Sequence, residues 1–206
     1  KAKGRGKKVI YSPVKECALA HDLPVYQPVR IKKDPEFIQT LRDMAPDVIV
    51  VVAFGQILSK EVLDIPRLGC VNVHASLLPK FRGAAPIQWA IIDGEKVTGV
   101  TTMLMDVGLD TGDMLLKTEV SVDAKETGGS LHDRLAELGP PAVLQAIDGL
   151  AAGSLRGEVQ DDSLATYAHK LNKDEALLDW SRPAVELERL IRAFNPWPIC
   201  HSSLRS

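Results

Sequence analysis

The feature that most constrains the fold is an unbroken run of β-branched residues from Val48 to Val52. Such a run is typical of a strand buried on both faces of a parallel sheet, because a solvent-facing side would place polar residues at alternate positions. Periodicity predicts further strands at 70–74, 97–105 and 114–120, and helices at 14–21, 35–44, 59–63, 86–92, 130–150 and 183–194. Strands that alternate with helices predict an α/β fold with a doubly wound, mostly parallel sheet.

The chain divides into unequal parts. We predict a catalytic domain over 1–155, a polar linker over 156–174 and the start of a second domain over 175–206. The predicted helix 130–150 contains Gly139-Pro140-Pro141, where we expect an interruption because proline removes a helix hydrogen bond.

The composition argues against several classes of protein. The formal net charge is −2 over 206 residues, so nothing global indicates nucleic acid or membrane binding. No apolar run approaches the roughly 18–20 residues of a bilayer span. The three cysteines form no C-x-x-C pair, which favours a reducing, cytoplasmic setting without a disulfide framework or metal site. The first residue is Lys and not Met, and we expect that the natural N-terminus is missing.

Two polar residues stand at the end of the strand 70–74. Asn72 and His74 are two positions apart, so their side chains project to the same side of the strand. Such groups are costly on a buried strand unless they have partners or lie at its water-accessible end. They are therefore either a satisfied polar cap or part of an active site.

The loop between the last two predicted strands carries three carboxylates, at Asp106, Asp110 and Asp113, together with two glycines. A solvated turn explains these residues by themselves. A functional alternative is that one aspartate points back at His74, since glycines let the backbone bend sharply. The spacing does not match an EF-hand calcium loop, which also needs a closing Glu.

An amide, an imidazole and a carboxylate together suggest a chemistry. Asn72 can donate to a carbonyl oxygen as negative charge develops there, and His74 can donate a second hydrogen bond or carry a proton. No Ser or Cys stands beside His74 in a nucleophile-elbow pattern. Direct acyl transfer between two bound substrates is the natural inference.

The N-terminal stretch KAKGRGKK has five cations and no acid. It lacks the Ser or Thr of a phosphate-binding P-loop and the glycine spacing of a dinucleotide fingerprint, so we expect no nucleotide cofactor. By composition it is either a solvated terminus or an arm that meets a phosphate-rich partner.

Three motifs carry a family resemblance. They are Asn72-x-His74, the following Ser76-Leu77-Leu78-Pro79-Lys80-Phe81-Arg82-Gly83, and the loop Asp106-Val107-Gly108-Leu109-Asp110-Thr111-Gly112. Together they closely resemble formyltransferases that use 10-formyltetrahydrofolate. The basic arm and the segment Asn195-Pro196-Trp197-Pro198 are similar to the bacterial branch that formylates methionyl-tRNA.

The resemblance implies a Rossmann-like formyltransferase domain whose first strand is absent here, followed by a truncated C-terminal barrel. It implies Asn72, His74 and Asp110 as the catalytic trio, with Asp110 chosen over Asp106. It places Ser76, Leu77, Leu78 and Pro79 at the folate site, and Arg5, Lys7 and Lys8 at the tRNA acceptor end. The implied partners are 10-formyltetrahydrofolate, as co-substrate, and initiator methionyl-tRNA. The resemblance implies no metal and no membrane association. It further implies a monomeric enzyme in the cytoplasm.

Other readings stay open at this point. The same trio would serve formyl transfer to glycinamide ribotide or an amino-sugar nucleotide, or hydrolysis of formyltetrahydrofolate. A different class is an inactive fragment that binds folate or RNA without turnover. The basic arm and the NPWP segment favour a tRNA acceptor over a small molecule.

Overall fold

The computed structural model describes residues 2–3, 8–9 and 11–203. The strands are β1 (Ala2–Lys3), β2 (Lys8–Val9), β3 (Ile49–Val51), β4 (Cys70–His74), β5 (Arg82–Gly83), β6 (Val97–Leu104), β7 (Met114–Ser121) and β8 (Tyr167–Ala168). The helices are α1 (Pro13–Ala20), α2 (Pro35–Asp43), α3 (Lys60–Leu63), α4 (Pro86–Ile92), α5 (Gly128–Ala151) and α6 (Ala184–Ala193). The predicted elements are thus confirmed, with ends that shift by a few residues.

A four-stranded sheet in the order β3-β4-β6-β7 forms the centre of the fold. β3 and β4 are parallel, whereas β4–β6 and β6–β7 are antiparallel. β6 and β7 are joined by the loop 105–113 without a crossover helix, and such a short connection permits only antiparallel pairing. The α/β fold class is confirmed, and the parallel pairing of the described sheet is found at β3–β4.

Strand β3 differs from the expectation of burial on both faces. It lies at one edge of the described sheet, where Ile49 and Val51 pack towards Ile38 and Val62 of α2 and α3. The opposite face carries Val50, which is 42% exposed, and the next residue on that side, Val52, is 61% exposed. Within residues 11–203 no second layer buries that face, so the β-branched run marks a strand here but not a doubly buried one.

Helix α5 packs across the sheet and builds the main core. Leu131 and Leu135 are buried with Val100 of β6, and Phe194 after α6 closes the same cluster. The predicted interruption at Gly139-Pro140-Pro141 is wrong, because α5 runs unbroken through it. A proline inside a helix costs about 3 kcal/mol. Each buried leucine contributes about 1.5–3 kcal/mol, so the packed face outweighs the local cost.

The segment after α5 folds back onto the catalytic part of the chain. β8 pairs in parallel with β5, with Arg82 opposite Tyr167 and Gly83 opposite Ala168. The predicted linker 156–174 thus contains a strand that belongs to a two-stranded sheet, although the domain boundaries themselves stay predictions. None of the helices described in 11–203 combines the length and hydrophobicity that crossing a bilayer requires.

Candidate active site

The structure brings the three predicted catalytic residues to one cavity of about 1200 Å³. Asn72 and His74 lie on β4, which is held between β3 and β6 by the pairings Val51↔Asn72 and His74↔Thr101. Asp110 reaches the same cavity from the loop between β6 and β7. The alternation of side chains along a strand thus delivers an amide and an imidazole to one spot, as the spacing predicts.

The His74 ring is buried, and its surroundings define its tautomer. Nε2 lies 2.9 Å from the carbonyl oxygen of Phe81, which can only accept, so Nε2 carries a proton and donates. Nδ1 faces Asp110 at 3.8 Å from Oδ2. That distance exceeds a direct hydrogen bond, but catalytic contacts of this kind often shorten when substrate binds. Nδ1 is therefore the nitrogen available to take or give a proton beside Asp110.

Asp110 is held in place by its backbone and by a neighbouring strand. Its φ of 53° lies in the left-handed region, which Asp adopts more readily than most residues. Oδ2 accepts a 2.8 Å hydrogen bond from the backbone N–H of Gly83. Asp106, by contrast, uses Oδ1 within the loop, accepting from the Gly108 N–H and the Thr111 hydroxyl. Both aspartates line the cavity, but Asp106 bonds within its own turn, whereas Asp110 faces His74.

Two residues that the sequence did not single out support this arrangement. Arg82 is 1% exposed, and its guanidinium donates to Gln160 at 3.0 Å and to Asp162 at 2.8 Å. Burial alone would lower the pKa of Arg82, but hydrogen bonds to Asp162 and Tyr167 outweigh it and raise the pKa. Arg82 belongs to the segment 76–83, one of the motifs that carry the family resemblance. Gln160 gave no signal, because it stands in a polar segment and its partners are distant in sequence.

The residues predicted to contact folate have a different position. Ser76 and Leu78 are buried: the Ser76 hydroxyl donates to the Lys80 carbonyl at 2.6 Å, and Leu78 packs against Met103. Leu77 and Pro79 are partly exposed. The cavity wall does not include Ser76, Leu77, Leu78 or Pro79. Their folate role stays a prediction from the family resemblance.

Of the three residues predicted to contact tRNA, the structure describes one. Arg5 and Lys7 lie outside the described residues. Lys8 belongs to β2, where its backbone pairs with Lys3 of β1. Their role in tRNA binding stays a prediction from the sequence.

The cavity walls are mostly apolar, and their polar residues include Asn72, His74 and Asp110. The lining comes from the segments 51–58, 72–75, 82–88, 105–110 and 167–170 and from one face of α5. Among them, Phe54, Ile57, Val107 and Leu109 are exposed apolar side chains. A separate depression of about 440 Å³ lies beside Arg42 and Glu61, away from these residues. Within the described part of the chain, no group of three or more His, Cys, Asp or Glu could hold a metal ion.

Comparisons with known proteins identify the family of the chain. A family model described as formyl transferase matches residues 1–147, and one described as formyl transferase, C-terminal domain, matches residues 170–206. The methionyl-tRNA formyltransferase of Pseudomonas fluorescens (strain Pf-5) is 68% identical over 98% of the chain. The chain spans 63% of that relative's length.

Solved structures share the fold. A sugar 3N-formyl transferase, WlaRD, solved in the presence of dTDP and 5-N-formyl-THF, superposes with a TM-score of 0.74 at 21% identity, over 91% of this chain and 65% of its own. HypX from Aquifex aeolicus, in complex with tetrahydrofolic acid, gives a TM-score of 0.69 at 20% identity, over 82% and 30% of the two chains. With the first family model covering more than half of its residues, the chain belongs to the formyl transferase family.

Proposed function

We propose that the protein transfers a formyl group from 10-formyltetrahydrofolate to the α-amino group of methionyl initiator tRNA, in the cytoplasm. The observation that carries the proposal is the convergence of Asn72, His74 and Asp110 on one cavity. The choice of acceptor is supported by the 68% identity with a relative named methionyl-tRNA formyltransferase.

The cavity suits a folate co-substrate. Its volume of about 1200 Å³ exceeds that of most single-ligand sites, which leaves room for a donor and an acceptor side by side. Its exposed apolar residues, among them Phe54 and Leu109, can cover a flat ring system. Two structural neighbours are described with tetrahydrofolic acid and 5-N-formyl-THF, which supports the same class of ligand here.

The side chains support a direct transfer. The α-amino group of an aminoacyl ester titrates near neutral pH, so its neutral form is available to attack the formyl carbon. The Asn72 amide donates to the formyl oxygen as negative charge develops, and one such donor is typically worth about 3–4 kcal/mol. His74 takes the proton of the attacking amine at Nδ1, and the Asp110 carboxylate stabilises the imidazolium that results. The imidazolium returns the proton to N10 of the folate as the bond between N10 and the formyl carbon breaks, so tetrahydrofolate leaves.

The test is a formylation assay with three acceptors at equal concentration: methionyl initiator tRNA, glycinamide ribotide and an amino-sugar nucleotide. We expect formyl transfer to the tRNA at least about a hundredfold faster than to either small amine, a ratio typical of a site built for one acceptor. A reaction without any acceptor measures hydrolysis. Preference for a small amine, or release of formate alone, would replace the proposal with that activity.

The basic arm is tested separately. Arg5→Ala should raise the KM for charged tRNA and leave the KM for the folate unchanged, because a phosphate contact acts on the acceptor only. Arg42→Ala is the control, since it removes an exposed arginine that pairs with Glu61 instead. Equal tRNA kinetics in the two variants would remove Arg5 from the tRNA site.

A further inference from the structure

The side chain of Gln160 joins two parts of the active site that are far apart in sequence. Its Nε2 donates to the carbonyl oxygen of Asp110 at 2.8 Å and to that of Gly112 at 2.7 Å. Its Oε1 accepts from Nε of Arg82 at 3.0 Å. Gln160 is only 6% exposed, so these bonds form away from competing water.

The contacts close a ring that includes the Asp110 carboxylate. Gln160 binds the backbone of Asp110, Asp110 accepts from the Gly83 N–H, Gly83 follows Arg82 on β5, and Arg82 returns to Gln160. The carboxylate in this ring lies 3.8 Å from Nδ1 of His74. A small shift of the loop therefore changes the distance between the two groups that exchange charge.

The loop needs such external support. Asp110 is not glycine, yet its φ of 53° is left-handed, a conformation that persists only where the surroundings hold it. The two N–H groups of one buried amide bind both carbonyls that flank Thr111. That arrangement fixes the orientation of the peptide on each side of the turn.

We propose that Gln160 is a positioning residue for the formyl transfer, holding the Asp110 carboxylate at its working distance from His74. This role rests on the proposed function. It assigns a catalytic contribution to a residue of the segment after α5, outside both regions that the family models match.

The test compares Gln160→Ala and Gln160→Glu with Asp161→Asn in the full-length protein. Glutamate keeps the shape of the side chain but loses both N–H donors, whereas the neighbouring Asp161 carboxylate accepts from Ser163 in the adjacent turn. We expect kcat to fall about 10- to 100-fold in both Gln160 variants, as for a small misplacement of a reacting group. The KM for 10-formyltetrahydrofolate should change by less than about threefold, and Asp161→Asn should match the wild type.

A double-variant cycle distinguishes positioning from a general structural role. If Gln160 acts through Asp110, adding Gln160→Ala to Asp110→Ala should lower kcat no further. The proposal is overturned if Gln160→Ala lowers kcat by the same factor in the wild-type and Asp110→Ala backgrounds. It is also overturned if the kcat of Gln160→Ala stays within about twofold of wild type, or if circular dichroism shows that neither Gln160 variant folds. Absence of formyl transfer by the wild-type protein would instead count against the proposed function.

Discussion

The backbone N–H of Gly83 donates a 2.8 Å hydrogen bond to Oδ2 of Asp110, 27 residues further along the chain. The same oxygen lies 3.8 Å from Nδ1 of His74. β5 therefore holds the carboxylate from one side while the histidine faces it from another. This main-chain hydrogen bond fixes the position of the carboxylate, so that Oδ2 stays beside the imidazole.

Gly83→Ala should disturb this contact. Gly83 has φ 115°, which is strained for any residue with a Cβ, and an added Cβ would stand 2.7 Å from the carbonyl oxygen of Ala168. We expect a loss of about 1–3 kcal/mol in the free energy of unfolding, together with a clear fall in kcat. Gly153→Ala is the control, since Gly153 has φ 68° but no atom within 4 Å of the added Cβ. Urea denaturation and the formylation assay should show a stability loss in both variants and a rate loss in Gly83→Ala alone.

Replacement of the three residues proposed to be catalytic should reduce turnover without unfolding the chain. Asn72→Ala removes one donor to the developing oxyanion, and we expect kcat to fall about 10²- to 10³-fold. His74→Ala and Asp110→Ala should each cause losses of at least about 10²-fold, because proton transfer by a positioned side chain is typically worth that much. Melting curves serve as the control for folding. Near-normal turnover in any one variant would exclude that residue from the chemistry.

Glu126 predicts an acid-dependent loss of stability. Glu126 is 4% exposed. Burial alone would raise its pKa, but hydrogen bonds from Ser130, the Asp123 N–H and Arg134 outweigh it and lower the pKa below the ordinary 4.5. A lowered pKa means that the folded state binds this proton more weakly than the unfolded state. The contribution of Glu126 to the free energy of unfolding is therefore complete above pH 4.5. It is lost as the pH falls through the lower pKa of the folded state.

The measurement for Glu126 is urea denaturation between neutral pH and acid. Glu126→Gln should cost about 1–3 kcal/mol at neutral pH, the usual range for hydrogen bonds to a charged group. The difference from wild type should shrink on acidification below pH 4.5, because the unfolded wild-type chain then binds the proton and the folded carboxylate is neutralised at still lower pH. Glu137→Gln, at an exposed position of α5, is the control. A difference that does not depend on pH would show that charge is not involved.

The cysteines should differ sharply in reactivity. Burial raises the pKa of Cys70 to about 11, and the residue is 1% exposed, so its thiolate is scarce and inaccessible. Cys17 is exposed on α1. With iodoacetamide at pH 8, mass spectrometry should find Cys17 alkylated first and Cys70 unmodified until urea is added. Equal rates at the two residues in the native protein would contradict the packing of β4.

Local pattern predicted much of this molecule because its signals lie within single elements. The strand with Asn72 and His74 has a period of two, and α4 begins at Pro86, so both were placed correctly. The choice between Asp106 and Asp110 could not come from the loop itself, since it depends on the Gly83 contact 27 residues away. It came from the family resemblance.

The remaining differences are also effects of long-range contacts. The continuity of α5 through Pro140 depends on what its apolar face covers. The exposure of Val50 depends on whether a second layer covers that face of the sheet. Gln160 and Arg82 meet across 78 positions, a contact that no local pattern records.

The parallel pairing of β5 with β8 has a practical consequence for dissecting the protein. A fragment cut at residue 147, where the first family match ends, would keep Asn72, His74 and Asp110 but lose the strand that lies beside Gly83. Such a fragment would contain the three residues proposed to react and lack the strand that pairs with β5. The smallest unit that can be expected to work therefore extends beyond Ala168, across the boundary that sequence similarity suggests.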